Sequence, residues 1–259
     1  MKPEILFEDE YLLAINKPNG MVVNRGFGAG ETVQEWAEGK GITGSTSTTG
    51  STGDDFHKRN GVVHRLDKET SGVLLIAKTP EAFGELQRQF KDREVEKVYI
   101  GLVHGHVEPQ SGVVEAAIGR NPKNRMKFST VEGGRDAQTG YRVIAHFSAR
   151  SEERRLKSAT TKVGFNTQDE YTLVEFYPKT GRTHQIRVHA KHIGHPIVSD
   201  YQYAGRKTTR GDRKWCPRLF LHAEKLSFKH PKSGERMTVE APMPHDLKDV
   251  LANLSSRAD

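Results

Sequence analysis

Two short stretches of this 259-residue chain carry residue types that can do chemistry. The first, Gly61–Gly72 (GVVHRLDKETSG), delivers His64, Arg65 and Asp67 from a strand-like rise into a loop closed by Thr70-Ser71-Gly72. Asp, Thr, Ser and Gly are turn formers, so taken alone the loop reads first as an Asx-turn in which Asp67 bonds backbone N–H groups. The second, Lys179–Pro196 (KTGRTHQIRVHAKHIGHP), turns through Thr180-Gly181-Arg182 into a helix ended by Gly194 and Pro196. Steps of about 100° per residue put His184, Arg187, Val188 and Lys191 on one face and Ile186, His189, Ala190 and Ile193 on the other. Arg187 is therefore expected on a polar, cationic face. Histidines 184, 189, 192 and 195 are spaced five, three and three, which spreads them round the helix without an i, i+4 pair. They read as hydrogen-bonded side chains, and no metal is expected.

The elements that must position these stretches are mostly strands. Tyr11–Ile15 is a strand-like run closed by the turn Lys17-Pro18-Asn19-Gly20, and Thr32-x-x-Glu35 is a capping box opening a short helix. Gly39–Gly53 is rich in Gly, Ser and Thr and without period, a flexible surface loop. Gly61–His64 reads as a strand, Arg65–Gly72 as a polar loop and Val73–Lys78 as a buried strand. Thr79-Pro80-Glu81 starts a helix with Ala82, Phe83, Leu86 and Phe90 as its apolar stripe. Lys97–His104, Tyr141–Phe147, Tyr171–Tyr177, Leu219–Phe228 and Arg236–Glu240 are strand-like. Ser148–Glu170 is polar and poorly patterned, a basic loop between two strands. Leu247, Val250, Leu251 and Leu254 mark a last helix. With no internal repeat and no linker, a single α+β domain over residues 1–259 with an antiparallel-leaning sheet is expected.

Charge points to a polyanionic partner. Lys and Arg exceed Asp and Glu by 40 to 33, net +7, and the excess is uneven. Residues 1–58 hold five Lys/Arg and nine acids, net −4, whereas Arg120–Lys162 holds eleven against four, net +7, and Arg206–Arg218 six against one, net +5. A single charge run is usually a solvated face. Two of them, with Asn121, Asn124, Phe128, Tyr201, Tyr203 and Trp215 as neighbours, suit a phosphate-tracking surface, and RNA is favoured over an anionic small molecule. The longest apolar runs, Tyr11–Ile15 and Val73–Ala77, are five residues each against the ~20 of a membrane helix. The N-terminus carries no apolar signal stretch, and the single Cys216 forms no internal disulfide, so a cytoplasmic location is expected.

HRLDKETSG, TGRTHQIRVHAKHIGHPIVSD, the upstream AINKPNG, the EKVYIGLVHG strand and the closing RLFLHAEKLSFKHP occur in one order that resembles the RluA-type family of pseudouridine synthases. The resemblance covers roughly Leu12 to Leu254. It implies a pseudouridine-synthase-like α+β fold, a mixed, largely antiparallel sheet flanked by helices and loops, with a central catalytic cleft. It further implies that Asp67 matches the catalytic aspartate, that Tyr99 matches the tyrosine packing on the target uracil, and that Arg187 matches the arginine pairing with the catalytic carboxylate. Arg65 matches the side chain that fills the helix space left by a flipped nucleotide, and His64, Arg182, His184, Arg154 and Arg155 join it as candidate RNA contacts.

The chemistry so implied is isomerisation of uridine to pseudouridine in structured ribosomal or transfer RNA. It is redox-neutral and needs no cofactor. A guanidinium in contact favours the ionised form of an acid, and an aromatic platform with an inserted arginine offsets the few kcal/mol of base extrusion. Where many relatives carry a small N-terminal RNA-binding domain, this chain begins directly before the catalytic segments, so RNA docking is expected from its own basic loops and the protein is expected to be a monomer. The alternative is a non-catalytic RNA-binding or RNA-folding protein on the same scaffold.

Overall fold

The computed structural model describes residues 2–26, 30–41, 51–148 and 170–256. The chain divides into two compact units, one of Met1–Val98 with His222–Pro242 and one of Tyr99–Leu221 with Met243–Asp259. Two of the three crossings fall inside strands, β4 (Glu96–His104) and β10 (Leu221–Lys229), which is why no linker is visible in the composition.

In the first unit β1 (Glu4–Glu8), β2 (Leu12–Lys17) and β3 (Ser71–Ala77) form an antiparallel run, with Leu12 opposite Ala77 and Lys17 opposite Gly72. Strand β3 continues into β10 in parallel register, Ser71 beside His222 and Gly72 beside Ala223, and β11 (Arg236–Glu240) closes antiparallel on β10. All seven residues of β3 are buried, the signature of a strand covered on both faces. Leu12, Ala14, Val73, Leu75 and Ala77 pack with Phe56 of α2 (Ser51–Arg59) and with Ala82, Phe83 and Leu86 of α3 (Pro80–Lys91). The expected helix starts are present. Thr32 and Glu35 form the capping box of α1 (Val33–Gly39), and Thr79 accepts from the Ala82 N–H ahead of Pro80.

Local geometry corrects two expectations here. Ser51–Gly53 belongs to α2, so the expected loop over 39–53 ends earlier than its composition suggests; residues 42–50 lie outside the described residues. Gly61–His64 is not a strand, for only Val62 bridges to Ile76. Gly61 sits at φ +71°, where a Cβ would stand 2.1 Å from the Ala77 carbonyl oxygen, so a glycine is needed for the chain to approach β3 this closely. Gly72 plays a related part at φ +120°, with a Cβ position 2.1 Å from the Ala223 oxygen.

The second unit is antiparallel throughout its strands. The later part of β4 pairs β9 (Glu170–Pro178) from Tyr99 opposite Phe176 to His104 opposite Tyr171. Strand β9 pairs β8 (Gln138–Ser148), which also takes β5 (Ser111–Glu115) and β12 (Ser255–Ser256). A separate hairpin joins β6 (Ile118–Arg120) and β7 (Phe128–Thr130). The described helices of this unit are α4 (Gln185–His192), α5 (Arg206–Asp212) and α6 (His245–Ala252). Leu247 and Val250 of α6 are buried with Leu102, Leu173, Val174 and Phe176, as their spacing predicts. Residues 149–169, and with them Arg154 and Arg155, lie outside the described residues. The architecture is thus mixed α and β with a largely antiparallel sheet. Among the described residues no helix is long and apolar enough to cross a membrane.

Candidate active site

Asp67 stands on a loop held from both ends. Leu66 before it and Thr70 after it are buried, at 4% and 2% exposure, while Arg65 points outward. The Thr70 N–H bonds the Asp67 carbonyl at 3.1 Å, closing a turn. Lys68 offers its carbonyl to two donors, the Gly20 N–H at 2.8 Å and the Lys17 ammonium at 3.3 Å. Lys17 is fully buried and also bonds the Pro18 and Met21 carbonyls, both at 2.9 Å. The AINKPNG turn is therefore a clamp on the Asp67 loop. At the loop's exit the His222 Nε2–H donates to the Ala241 carbonyl at 3.0 Å, leaving Nδ1 to accept from the Ser71 hydroxyl at 3.0 Å. Sequence reasoning missed the roles of Lys17 and His222. A lysine inside the run AINKP is the signal that marks the first.

His64 faces the protein. Its Nε2 accepts from the Leu75 N–H at 3.0 Å and its ring stacks on Phe90 with centroids 4.7 Å apart. Burial, helped by the charge of Lys97, pulls its pKa down to about 3, so the ring is neutral and its Nε2 serves the main chain of β3.

In the second unit the structure corrects the expected setting of Arg187. Its helix is buried on nearly every side, from Gln185 to Ala190, and Arg187 itself is 6% exposed rather than part of a solvated cationic face. Its Nε donates to Asp200 Oδ2 at 2.7 Å and its Nη2 to Asp200 Oδ1 at 2.9 Å and to Gln202 Oε1 at 3.3 Å, with the guanidinium 5.0 Å from the Tyr203 ring centre. Asp200, fully buried, also accepts the N–H groups of Gln202 and Tyr203 at Oδ1, 2.9 and 3.1 Å away. A bidentate pair with its remaining lone pairs filled is the arrangement that makes a buried charge tolerable. Asp200 carries no role in the sequence reading. An aspartate two residues after the apolar Ile197-Val198 was its only signal.

The other predicted residues of the second unit are tied to the fold. Tyr99 is half-buried against the apolar core at the start of the β4–β9 ladder. Arg182 donates from Nε to the Asp136 carbonyl at 3.0 Å, and its N–H bonds Gln185 Oε1 at 3.0 Å. Gln185 also accepts from Thr180 Oγ1 and donates to the Gln138 carbonyl and Thr139 Oγ1, pinning the helix start to β8. His184 takes the left-handed conformation at φ 57° and its Nδ1 lies 2.9 Å from the Tyr203 hydroxyl. His189 bonds Thr139 and the Ala116 carbonyl, and burial lowers its pKa. His192 lies 3.2 Å from the Thr130 hydroxyl and His195 bonds the His104 carbonyl at 2.8 Å. The four histidines are hydrogen-bonded, and no group of His, Cys, Asp or Glu among the described residues could hold a metal ion.

His64, Arg65 and Asp67 thus belong to the first unit, and Tyr99, Arg182, His184 and Arg187 to the second. Residues 11–192, which include all of these, match the family model described as RNA pseudouridylate synthase. The chain is 35% identical to the uncharacterized RNA pseudouridine synthase YlyB of Bacillus subtilis, over 98% of this chain and 73% of that protein. It is 38% identical to the ribosomal large subunit pseudouridine synthase D of Nitrosomonas europaea, over 96% of this chain but just 64% of the relative's length. Among solved structures, human RNA pseudouridylate synthase domain containing 1 superposes with a TM-score of 0.70 at 27% identity, over 99% of this chain and 89% of that one. Human RNA pseudouridylate synthase domain containing 4 shares the fold, with a TM-score of 0.67 at 23% identity over 98% and 94%. With the HRLD loop and the buried arginine helix inside the matched span, the chain belongs to the RNA pseudouridylate synthase family, a family of isomerases.

Proposed function

We propose that this chain isomerises uridine to pseudouridine in large-subunit ribosomal RNA, with Asp67 as its catalytic carboxylate. The observation that carries the reading is the Asp67 loop itself. It is braced by Lys17 and Gly20 on the neighbouring carbonyl and lies inside the span matched to the RNA pseudouridylate synthase family. Ribosomal RNA is favoured because a relative of 38% identity bears the name of a large-subunit enzyme.

In the reaction the N1–C1′ bond breaks, the uracil turns over, and a C5–C1′ bond forms. The C5 proton is lost and N1 gains one, so the step is redox-neutral and draws on no electron carrier. Asp67 acts in its ionised form, toward the nucleoside as a nucleophile or toward a sugar proton as a base. Arg187, oriented by the bonds it donates to Asp200 and Gln202, supplies the guanidinium that the family resemblance assigns to the catalytic carboxylate. Tyr99 packs on the target uracil. Arg65, exposed beside Asp67, fills the stack that the flipped nucleotide vacates.

Pseudouridine maps of ribosomal and transfer RNA with and without the gene, followed by incubation of the purified chain with large-subunit RNA lacking its modifications, test this. The expected result is one or more large-subunit positions that depend on the gene and are restored in vitro. Gene-dependent positions confined to transfer RNA would overturn the substrate, and RNA binding without any conversion would make the chain a non-catalytic binder.

A further inference from the structure

Among the described residues one Phe, Tyr or Trp ring is exposed: Tyr201, 59% accessible, next to the buried Asp200. Its main chain is held on both sides. Asp200 Oδ1 takes the N–H groups of Gln202 and Tyr203, and the Asp200 carbonyl takes the Ala204 N–H and the Thr209 hydroxyl, both at 3.0 Å. The Gln202 carbonyl accepts from Lys127 Nζ at 2.8 Å, while its side chain accepts from Arg187. Tyr203, 5% exposed, is anchored by its hydroxyl to the Phe128 N–H and to His184. A lone exposed aromatic is ordinary on a protein surface. A rigidly mounted one has already lost the freedom that docking would otherwise cost.

The surroundings say what would cover it. Helix α5, bonded to the Asp200 carbonyl through Thr209, exposes Arg206, Lys207 and Arg210, and none of the three makes an ion pair among the described residues. Its acid, Asp212, is turned inward at 4% exposure, where it accepts the Ser199 N–H at 2.9 Å and meets His104 at 3.1 Å. The stretch therefore shows the solvent a flat ring and cations with no carboxylate between them. That combination matches the base and phosphates of a single strand, which binds by stacking on aromatic rings along a basic track. We infer that Tyr201 is a stacking platform for an unpaired base of the RNA, with Arg206, Lys207 and Arg210 meeting the adjoining phosphates. This rests on the RNA-acting reading proposed above and adds to it a docking element outside the reacting residues.

The test uses the full chain and a single-stranded oligoribonucleotide of about twelve nucleotides carrying 2-aminopurine. Wild type and Tyr201→Phe should quench the probe and bind it within about twofold of each other, whereas Tyr201→Ala should lose the quenching and bind about tenfold more weakly. Arg206→Gln, Lys207→Gln and Arg210→Gln should each flatten the log–log salt dependence by about 0.7. Unchanged melting temperatures show that the variants are folded, and Tyr201→Ser serves if the alanine variant is not. Absence of binding by wild type, equal binding and quenching by Tyr201→Ala, or unchanged salt slopes in all three glutamine variants would overturn the proposal. Pseudouridine formation by the wild type, followed alongside, separates the two readings. Tyr201-dependent quenching without any pseudouridine contradicts the proposed activity and leaves the platform. Pseudouridine formation with a Tyr201→Ala variant that binds like wild type does the reverse.

Discussion

The fully buried ammonium of Lys17 reaches the main-chain carbonyl of Lys68 at 3.3 Å, one residue beyond Asp67. The same carbonyl takes the Gly20 N–H, and the ammonium is shared with the carbonyls of Pro18 and Met21. A cation is thus used to gather carbonyl oxygens from two segments far apart in the chain. The position of the proposed catalytic carboxylate depends on it.

Lys17→Met keeps the apolar stem and removes the charge, leaving buried carbonyls short of donors. Each such orphaned group costs about 1–3 kcal/mol, so a total loss of about 2–4 kcal/mol is expected in urea unfolding. Amide exchange should quicken at residues 64–70 in particular. Unchanged stability with unchanged loop protection would contradict the clamp.

The Arg187–Asp200 pair makes a second prediction. Arg187→Met strands a fully buried carboxylate, at an expected cost of about 3–5 kcal/mol, and removes the proposed counter-charge of Asp67, so the folded fraction should also be inactive. Asp200→Leu should be costly for the converse reason. The double variant should be more stable than the sum of the two losses predicts, with a coupling of about 1–3 kcal/mol. Additive losses would mean that the two charges do not depend on each other.

What was legible in the sequence is what local chemistry decides. Thr32, Thr79 and Gly194 mark helix ends because capping involves only near neighbours. Helix α2 begins with Ser51, Thr52 and Gly53 and has one apolar side chain, Phe56, so its composition reads as loop. The setting of Arg187 was hidden for another reason. A helical wheel knows only its own helix, whereas the partners that bury this arginine, Asp200, Gln202 and Tyr203, come from the segment after it. The short strands β1, β5, β6 and β7 escaped notice because their pairing is non-local and their runs are three to five residues long.

His64 should give the fold an acid-sensitive component. The ring has a pKa of about 3 when folded against an ordinary 6.5, so between those values the unfolded chain binds the extra proton and stability falls as pH falls. The contribution is complete above about pH 6.5 and is lost toward pH 3, at about 1.4 kcal/mol per unit. Going from pH 6.5 to 5 should therefore cost wild type about 2 kcal/mol more than it costs His64→Gln. Parallel urea midpoints for the two proteins across that range would contradict it.

Arg65 is exposed, two residues before Asp67, and its proposed role is to fill the gap left by a flipped nucleotide. Arg65→Ala should then slow conversion of a uridine in a structured stem-loop by more than tenfold, while conversion in a flexible single strand falls much less, because extruding a stacked base costs a few kcal/mol. Equal losses on both substrates would count against this role.

The central claim is that Asp67 performs the chemistry. Asp67→Asn keeps the side chain's shape and removes its charge. The decisive measurement is pseudouridine formed by this variant and by wild type on the same large-subunit RNA at saturating protein, with RNA affinity measured in parallel. The expected result is no detectable conversion by the variant at near-wild-type affinity. Conversion within tenfold of wild type, a barrier change of about 1.4 kcal/mol or less, would contradict the account.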